Sequence, residues 1–181
     1  MNLYLRLLIM FFSVGFKAPL DLLDKLSSKH RVLPNDLDLL GHMNNGRYLT
    51  VADGARVELL IRAGVWKKMK QNKIYPVLAG ETIQFRKSLE LFESYKIDTQ
   101  VIGWDERFIY IEHKYHRNNQ TCALAIVKIR MIGQKNTRVS PMQFIKLVNP
   151  EREIETTKNL ELITKWNQSM IEHFEIDQKN K

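Results

Sequence analysis

The chain has one cysteine, Cys122, in 181 residues. That excludes an intramolecular disulfide and any cysteine-rich metal centre, and it suits a reducing compartment. Long hydrophobic runs are missing as well. The uncharged stretch from Leu7 to Phe16 is ten residues, against the ~20 that a helix needs to span a bilayer unaided. Arg6 precedes that stretch, as a basic residue does in a secretory leader, but Lys17-Ala18-Pro19 offers no small-residue cleavage site. There is no internal repeat and no low-complexity tract. Helix-turn-helix, zinc-finger and aromatic RNA-binding patterns are absent too. The net charge of +8 is therefore read as favouring small or protein anions, with no nucleic acid. What is present is ordinary for one soluble domain with a sizeable core: 44% apolar and 27% charged residues.

Three segments are expected: a helical segment over 1–27, a folded domain over 28–135 and a helical extension over 136–181. The first lies on the domain or along a subunit contact; the alternative is a membrane-surface contact through residues 1–16. Lys29 to Leu33 reads as a short strand ended by Pro34-Asn35-Asp36, since proline cannot donate to a ladder. Leu49, Ala52, Ala55, Leu59, Leu60 and Ala63 fall at helical spacing and predict one helix from about Asn45 to Ala63. Gly54 costs on the order of 1 kcal/mol inside it, which suggests close approach to another backbone. From Tyr75 the period changes to two, with alternation around Ile83 and Phe85, Tyr95 to Val101, Phe108 to Tyr115 and Thr121 to Ile132. Short turns between these runs imply antiparallel neighbours. After Gly133 the chain turns polar, with Pro141 and Pro150 as breaks. Leu160, Ile163, Trp166, Met170, Ile171 and Phe174 then form a second amphipathic pattern.

The chemistry concentrates between Val32 and Tyr48, in V-L-P-N-D-L-D-L-L-G-H-M-N-N-G-R-Y. Asn44 and Asn45 read as helix-cap residues. Asp38 and His42 therefore sit on a loop running into a helix N-terminus, which carries free N–H groups and roughly half a positive charge. A carboxylate beside such donors suits attack on a carbonyl. Asp36, two residues earlier in an extended segment, points the other way and reads as structural. Asp53 and Arg56 are spaced for an ion pair on the helix. Arg86 and Lys87, on a strand edge, are candidates for binding phosphates. His113 and His116 fall on opposite faces of a strand and so hold no metal together. Cys122 reads as an ordinary buried strand cysteine.

D-L-D-L-L-G-H-M-N-N-G-R-Y-L, followed by V-A-D-G-A-R, resembles the signature of hot-dog-fold acyl thioesterases of the 4-hydroxybenzoyl-CoA thioesterase type. The resemblance covers roughly Lys29 to Gly133. It implies an α+β hot-dog fold, a five-stranded antiparallel sheet wrapped around one long helix, here with extra N- and C-terminal helices. It makes Asp38 the catalytic aspartate, as base or nucleophile, and puts the carbonyl-polarising N–H at about Asn45. His42 matches the histidine of the similar plant acyl-carrier-protein thioesterases and either positions substrate or water or serves only as a loop hydrogen-bonding residue. Those enzymes read D-x-N-x-H, and Leu40 stands here where they have Asn. Asn44 and Asp53 fall on substrate-binding positions. The implied activity is hydrolysis of an acyl-CoA or acyl carrier protein thioester to free acid and thiol, with no cofactor beyond coenzyme A as part of the substrate and no metal. A homodimer or tetramer in the cytoplasm is expected. The alternative is a non-catalytic acyl-binding or scaffolding hot-dog domain, associated with a membrane.

Overall fold

The computed structural model describes residues 3–149 and six positions between 161 and 172. Helix α1 (Leu3–Val14) comes first, then strand β1 (Leu26–Arg31) and helices α2 (Asn45–Arg62) and α3 (Val65–Asn72). Strands β2 (Tyr75–Phe85), β3 (Ser94–Trp104), β4 (Ile109–Arg117), β5 (Gln120–Ile132) and β6 (Arg138–Val139) follow, and helix α4 (Pro141–Val148) comes last. The sheet is antiparallel in the order β1-β3-β4-β5-β2, with β6 appended to the end of β5. It curls around α2, which is the hot-dog arrangement.

The packing follows from the two periodicities. On α2, Tyr48, Val51, Ala52, Ala55 and Leu59 fall on one face and are buried. On β3, Tyr95, Ile97, Thr99 and Val101 alternate inward. Ala52 and Ala55 share a core cluster with Ala123 and Ala125 of β5, so small side chains on both sides let helix and sheet approach closely. Gly54 does not serve that purpose. A Cβ built on it has as its nearest neighbour a Leu7 side-chain methyl at 4.0 Å, so glycine here leaves space. β3 carries a bulge between Val101 and Gly103, and Gly103 sits at φ 149 where other residues are strained.

Several boundaries differ from expectation. β1 begins at Leu26, because Leu26 and Ser28 pair inward opposite Thr99 and Ile97. It ends at Arg31, and Pro34–Asp36 form a single 3-10 turn. Helix α3 was not anticipated; it buries Val65 and Met69. Pro141 starts a helix where a break was expected. Ser140 Oγ accepts from the Gln143 N–H at 3.2 Å, Gln143 Oε1 accepts from the Ser140 N–H at 3.1 Å, and proline suits the first helical position. Phe144, Ile145 and Val148 of α4 join the core with Val65, Met69, Val101 and Ile111.

Helix α1 lies against α2 and beside β1. Of the C-terminal amphipathic pattern, Ile163 packs on Ile102, Phe108 and Tyr110 of the sheet's outer face; Leu160, Trp166, Met170, Ile171 and Phe174 lie outside the described residues. Among the described residues, no helix is long and apolar enough to cross a membrane.

Candidate active site

The loop between β1 and α2 is fixed by its two aspartates, which do opposite jobs. Asp36 is fully buried. Its Oδ1 accepts from Arg47 Nε at 3.1 Å and Nη2 at 3.0 Å; its Oδ2 accepts from the Leu33 N–H at 2.9 Å and from Arg6 Nη2. Two cations from α1 and α2 thus converge on one carboxylate, tying both helices to the loop. Asp38 faces outward and is half-buried. Its Oδ1 accepts from the Leu40 N–H at 2.8 Å and the His42 N–H at 3.3 Å. Its Oδ2 makes no hydrogen bond among the described residues. The turn closes through Asp38 N–H to His42 O at 2.8 Å, and Gly41 sits in it at φ 81, which a side chain would strain. Leu39 and Leu40 at the tip are exposed, Leu39 fully.

The loop's far end is the helix start. Asn44 caps α2, its side chain accepting from the Gly46 N–H at 2.9 Å. Asn45 is the first helical residue, so its N–H has no acceptor within the helix. Tyr115 Oη donates to the Tyr48 carbonyl at 2.7 Å and pins this first turn to β4. His42 bridges to Glu90, and the Met43 N–H donates to Leu89 O at 2.8 Å. That contact brings the segment after β2 alongside, with Arg86 and Lys87 exposed just upstream. Lys87 Nζ donates to Gln120 Oε1 at 2.5 Å. Asp38, His42, Asn44 and Asn45 therefore gather at one end of α2, with Arg86 and Lys87 nearby in the chain.

Asp53 does not join them. It lies eight residues past Asn45, about 12 Å along the axis at 1.5 Å per residue, at the edge of a cavity of about 260 Å³. Leu60, Trp66, Val101, Ile111, Met131 and Phe144 line that cavity, and Pro76 and Leu78 of the edge strand β2 border it. Asp53 is exposed and ion-paired with Arg56, which is buried. Arg56 Nη1 donates to His113 Nε2 at 3.0 Å, and His113 Nδ1 bonds Thr99 Oγ1 at 2.9 Å. Arginine can only donate, so Nε2 is the bare nitrogen and Nδ1 carries the proton. Burial and the neighbouring guanidinium hold the His113 pKa down to about 3. This Arg56–His113–Thr99 chain escaped sequence reasoning, whereas the separation of inward His113 from outward His116 was expected. His116 instead approaches Asp98 at 3.5 Å.

A family model described as the thioesterase-like superfamily matches residues 32–149. Protein THEM6 of Xenopus laevis is 37% identical over 121 residues, covering 66% of this chain and 58% of that protein. A probable thioesterase of Saccharomyces cerevisiae is 26% identical over 137 residues, covering 72% of this chain and 59% of that one. The chain thus spans under three fifths of the length of these curated relatives. The crystal structure of the probable thioesterase YbaW from Escherichia coli superposes with a TM-score of 0.65 at 19% identity, covering 74% of this chain and 99% of that one. That likeness shows a shared fold.

Proposed function

This chain belongs to the thioesterase-like superfamily, and from that footing we propose that it hydrolyses an acyl thioester of coenzyme A or acyl carrier protein to the free acid and the thiol. The observation that carries the proposal is the Asp38 loop. It holds a carboxylate with one oxygen tethered by two backbone N–H groups and the other unbonded, beside the open N-terminus of α2. The Asn45 N–H polarises the thioester carbonyl and receives its developing negative charge; a donor of this kind contributes about 3 kcal/mol, judged from side-chain oxyanion donors. Asp38 then acts in one of two ways. As nucleophile it attacks the carbonyl carbon, expels the thiolate and forms an anhydride that water cleaves. As general base it takes a proton from the attacking water. His42 and Asn44 position the substrate, and Arg86 and Lys87 meet the coenzyme's phosphates.

Within one protomer, Asp38 is not among the residues that line the apolar cavity. The apolar cavity opens toward β2, whose outer edge is unpaired among the described residues and exposes Val77, Leu78 and Phe85. Leu39 and Leu40 are exposed on the Asp38 loop. An open, apolar strand edge calls for a covering partner. A second copy of the chain fits, and its Asp38 loop would stand at the mouth of this protomer's cavity, where Asp53 borders the acyl group.

Thiol release measured over a panel of acyl-CoA and acyl carrier protein substrates tests the reading. Asp38→Asn keeps size and most hydrogen bonding but removes the attacking charge, so hydrolysis should drop by about two orders of magnitude with little change in Tm. Equal turnover by the variant would refute the mechanism. Thioester binding without hydrolysis by the wild type would favour the acyl-binding alternative, which the absence of Asp38 from the cavity lining within one protomer also fits.

A further inference from the structure

Helix α1 is apolar on both sides. Arg6 is the one charged residue between Leu3 and Val14, and it turns inward to Asp36 and the Arg31 carbonyl. Leu7 and Met10 line a groove shared with Val51 and Ala55 of α2, and Val14 is buried. On the opposite face Leu5, Leu8, Ile9 and Phe12 repeat at i, i+3, i+4 and i+7, and Phe16 continues the row just past the helix end. These five side chains are 45–93% exposed. A helix apolar all round is ordinarily buried, and a contiguous exposed apolar row marks a surface that meets something else. Among the described residues nothing covers this one.

A basic face runs beside the row. Ile9 borders a groove whose other wall carries Lys29 and Arg31 of β1. Lys29 stands directly opposite Lys96 in the register of β1 and β3, and Lys96 stands opposite His116 in that of β3 and β4. Like charges set across from each other destabilise a sheet, so this arrangement gains from an anion outside it. Lys29, Arg31 and Lys96 are exposed and have no ion pair among the described residues. Asp98, the one acid of β1 and β3, is approached by Lys25 at 3.6 Å and His116 at 3.5 Å. The open hollow of about 640 Å³ that Lys29, Arg31, Lys96 and His116 line has no acid in its lining.

An apolar helical row flanked by cations without counterions matches a helix lying in the headgroup region of an anionic bilayer. Its 12 residues reach about 18 Å at 1.5 Å each, against ~30 Å of hydrocarbon, which suits lying in the surface and not crossing it. A second copy fits the face poorly. Two-fold pairing sets a patch against itself, and Lys29, Arg31 and Lys96 would then meet their own counterparts. We propose that the chain docks peripherally on an anionic lipid bilayer, the outer row of α1 entering the boundary between headgroups and acyl chains and Lys29, Arg31 and Lys96 lying against the anionic headgroups. This surface is separate from Asp38 and from the apolar cavity, and it holds whether or not the chain hydrolyses thioesters.

Co-sedimentation of the full chain with lipid vesicles tests the proposal. Vesicles of equal parts phosphatidylcholine and phosphatidylserine should bind it at least tenfold more tightly than phosphatidylcholine alone, and added salt should narrow the difference. Lys29→Gln with Lys96→Gln should remove that preference. Lys135→Gln with Arg138→Gln, the same charge change around β6 and away from β1 in the sheet, should weaken anionic binding less than threefold. Leu8→Ser with Phe12→Ser should weaken it at least tenfold at near-unchanged Tm. Phe16→Ser, on a side chain almost wholly in water, should weaken it at least threefold and serves if the double variant does not fold. No binding of the wild type to the anionic vesicles would overturn the proposal. So would equal loss in the two charge-removal pairs, or full binding by the α1 variants. A stable dimer that Leu8→Ser with Phe12→Ser disperses, and that binds no vesicle, would overturn it too and assign the row to a second copy.

Discussion

At the scale of single residues, the two aspartates of the motif separate by what surrounds them. Asp36 has no solvent contact and lies between Arg6 and Arg47. Removing its charge would leave two guanidinium groups facing a neutral amide, and breaking a buried pair this way costs about 3–5 kcal/mol. Urea unfolding of Asp36→Asn should show a loss of that size, and a loss under 1 kcal/mol would contradict the assignment. That variant is therefore unsuitable as a neutral control for Asp38, although reading Asp36 as structural is consistent with its burial. His113 makes a second residue-scale case. Its folded pKa of about 3 lies below the ordinary 6.5, so between those values the unfolded chain binds the proton and the folded chain does not. Stability must then fall as pH drops below about 6.5, by ~1.4 kcal/mol per unit from this group, until the folded value is reached. Equilibrium unfolding between pH 7 and pH 4.5 should show this slope reduced in His113→Asn; equal slopes would contradict it. The motif made Asp38 legible without any structure. The Arg56–His113–Thr99 chain was not, because its members lie 57 and 14 positions apart and meet only through strand register.

At the scale of elements, α2 and the four long strands were readable because their periods persist over many residues, 18 in α2 and 13 in β5. Helix α3 has eight residues and buries two, too few to establish a period. Pro141 was ambiguous by nature, since proline both ends and begins helices. These two short helices matter, because Trp66, Met69 and Phe144 close the far end of the cavity that α2 opens. Acyl length should follow from that closure. Val57 of α2 also lines the cavity, so Val57→Trp should lower kcat/KM for a decanoyl thioester at least tenfold relative to an acetyl thioester, on the scale of ~1.4 kcal/mol per tenfold. A uniform effect across chain lengths would show that the cavity does not hold the acyl chain.

At the scale of the whole molecule, the sheet's two edges are treated differently. β1 is flanked by α1, anchored through Arg6 to Asp36 and to the Arg31 carbonyl. Among the described residues, β2 presents an open 11-residue edge beside the cavity. The proposed shared site therefore needs a second copy pairing at β2 and bringing its Asp38 loop to this protomer's cavity. Subunit complementation measures that arrangement directly. Two differently tagged chains, one Asp38→Asn and the other Val57→Trp, are co-expressed, and the doubly tagged dimer is assayed on a decanoyl thioester. Each mixed dimer keeps one intact site, built from the loop of one chain and the cavity of the other, so its turnover should exceed that of either parent at least tenfold. Turnover no greater than the mean of the two parents would contradict the shared site.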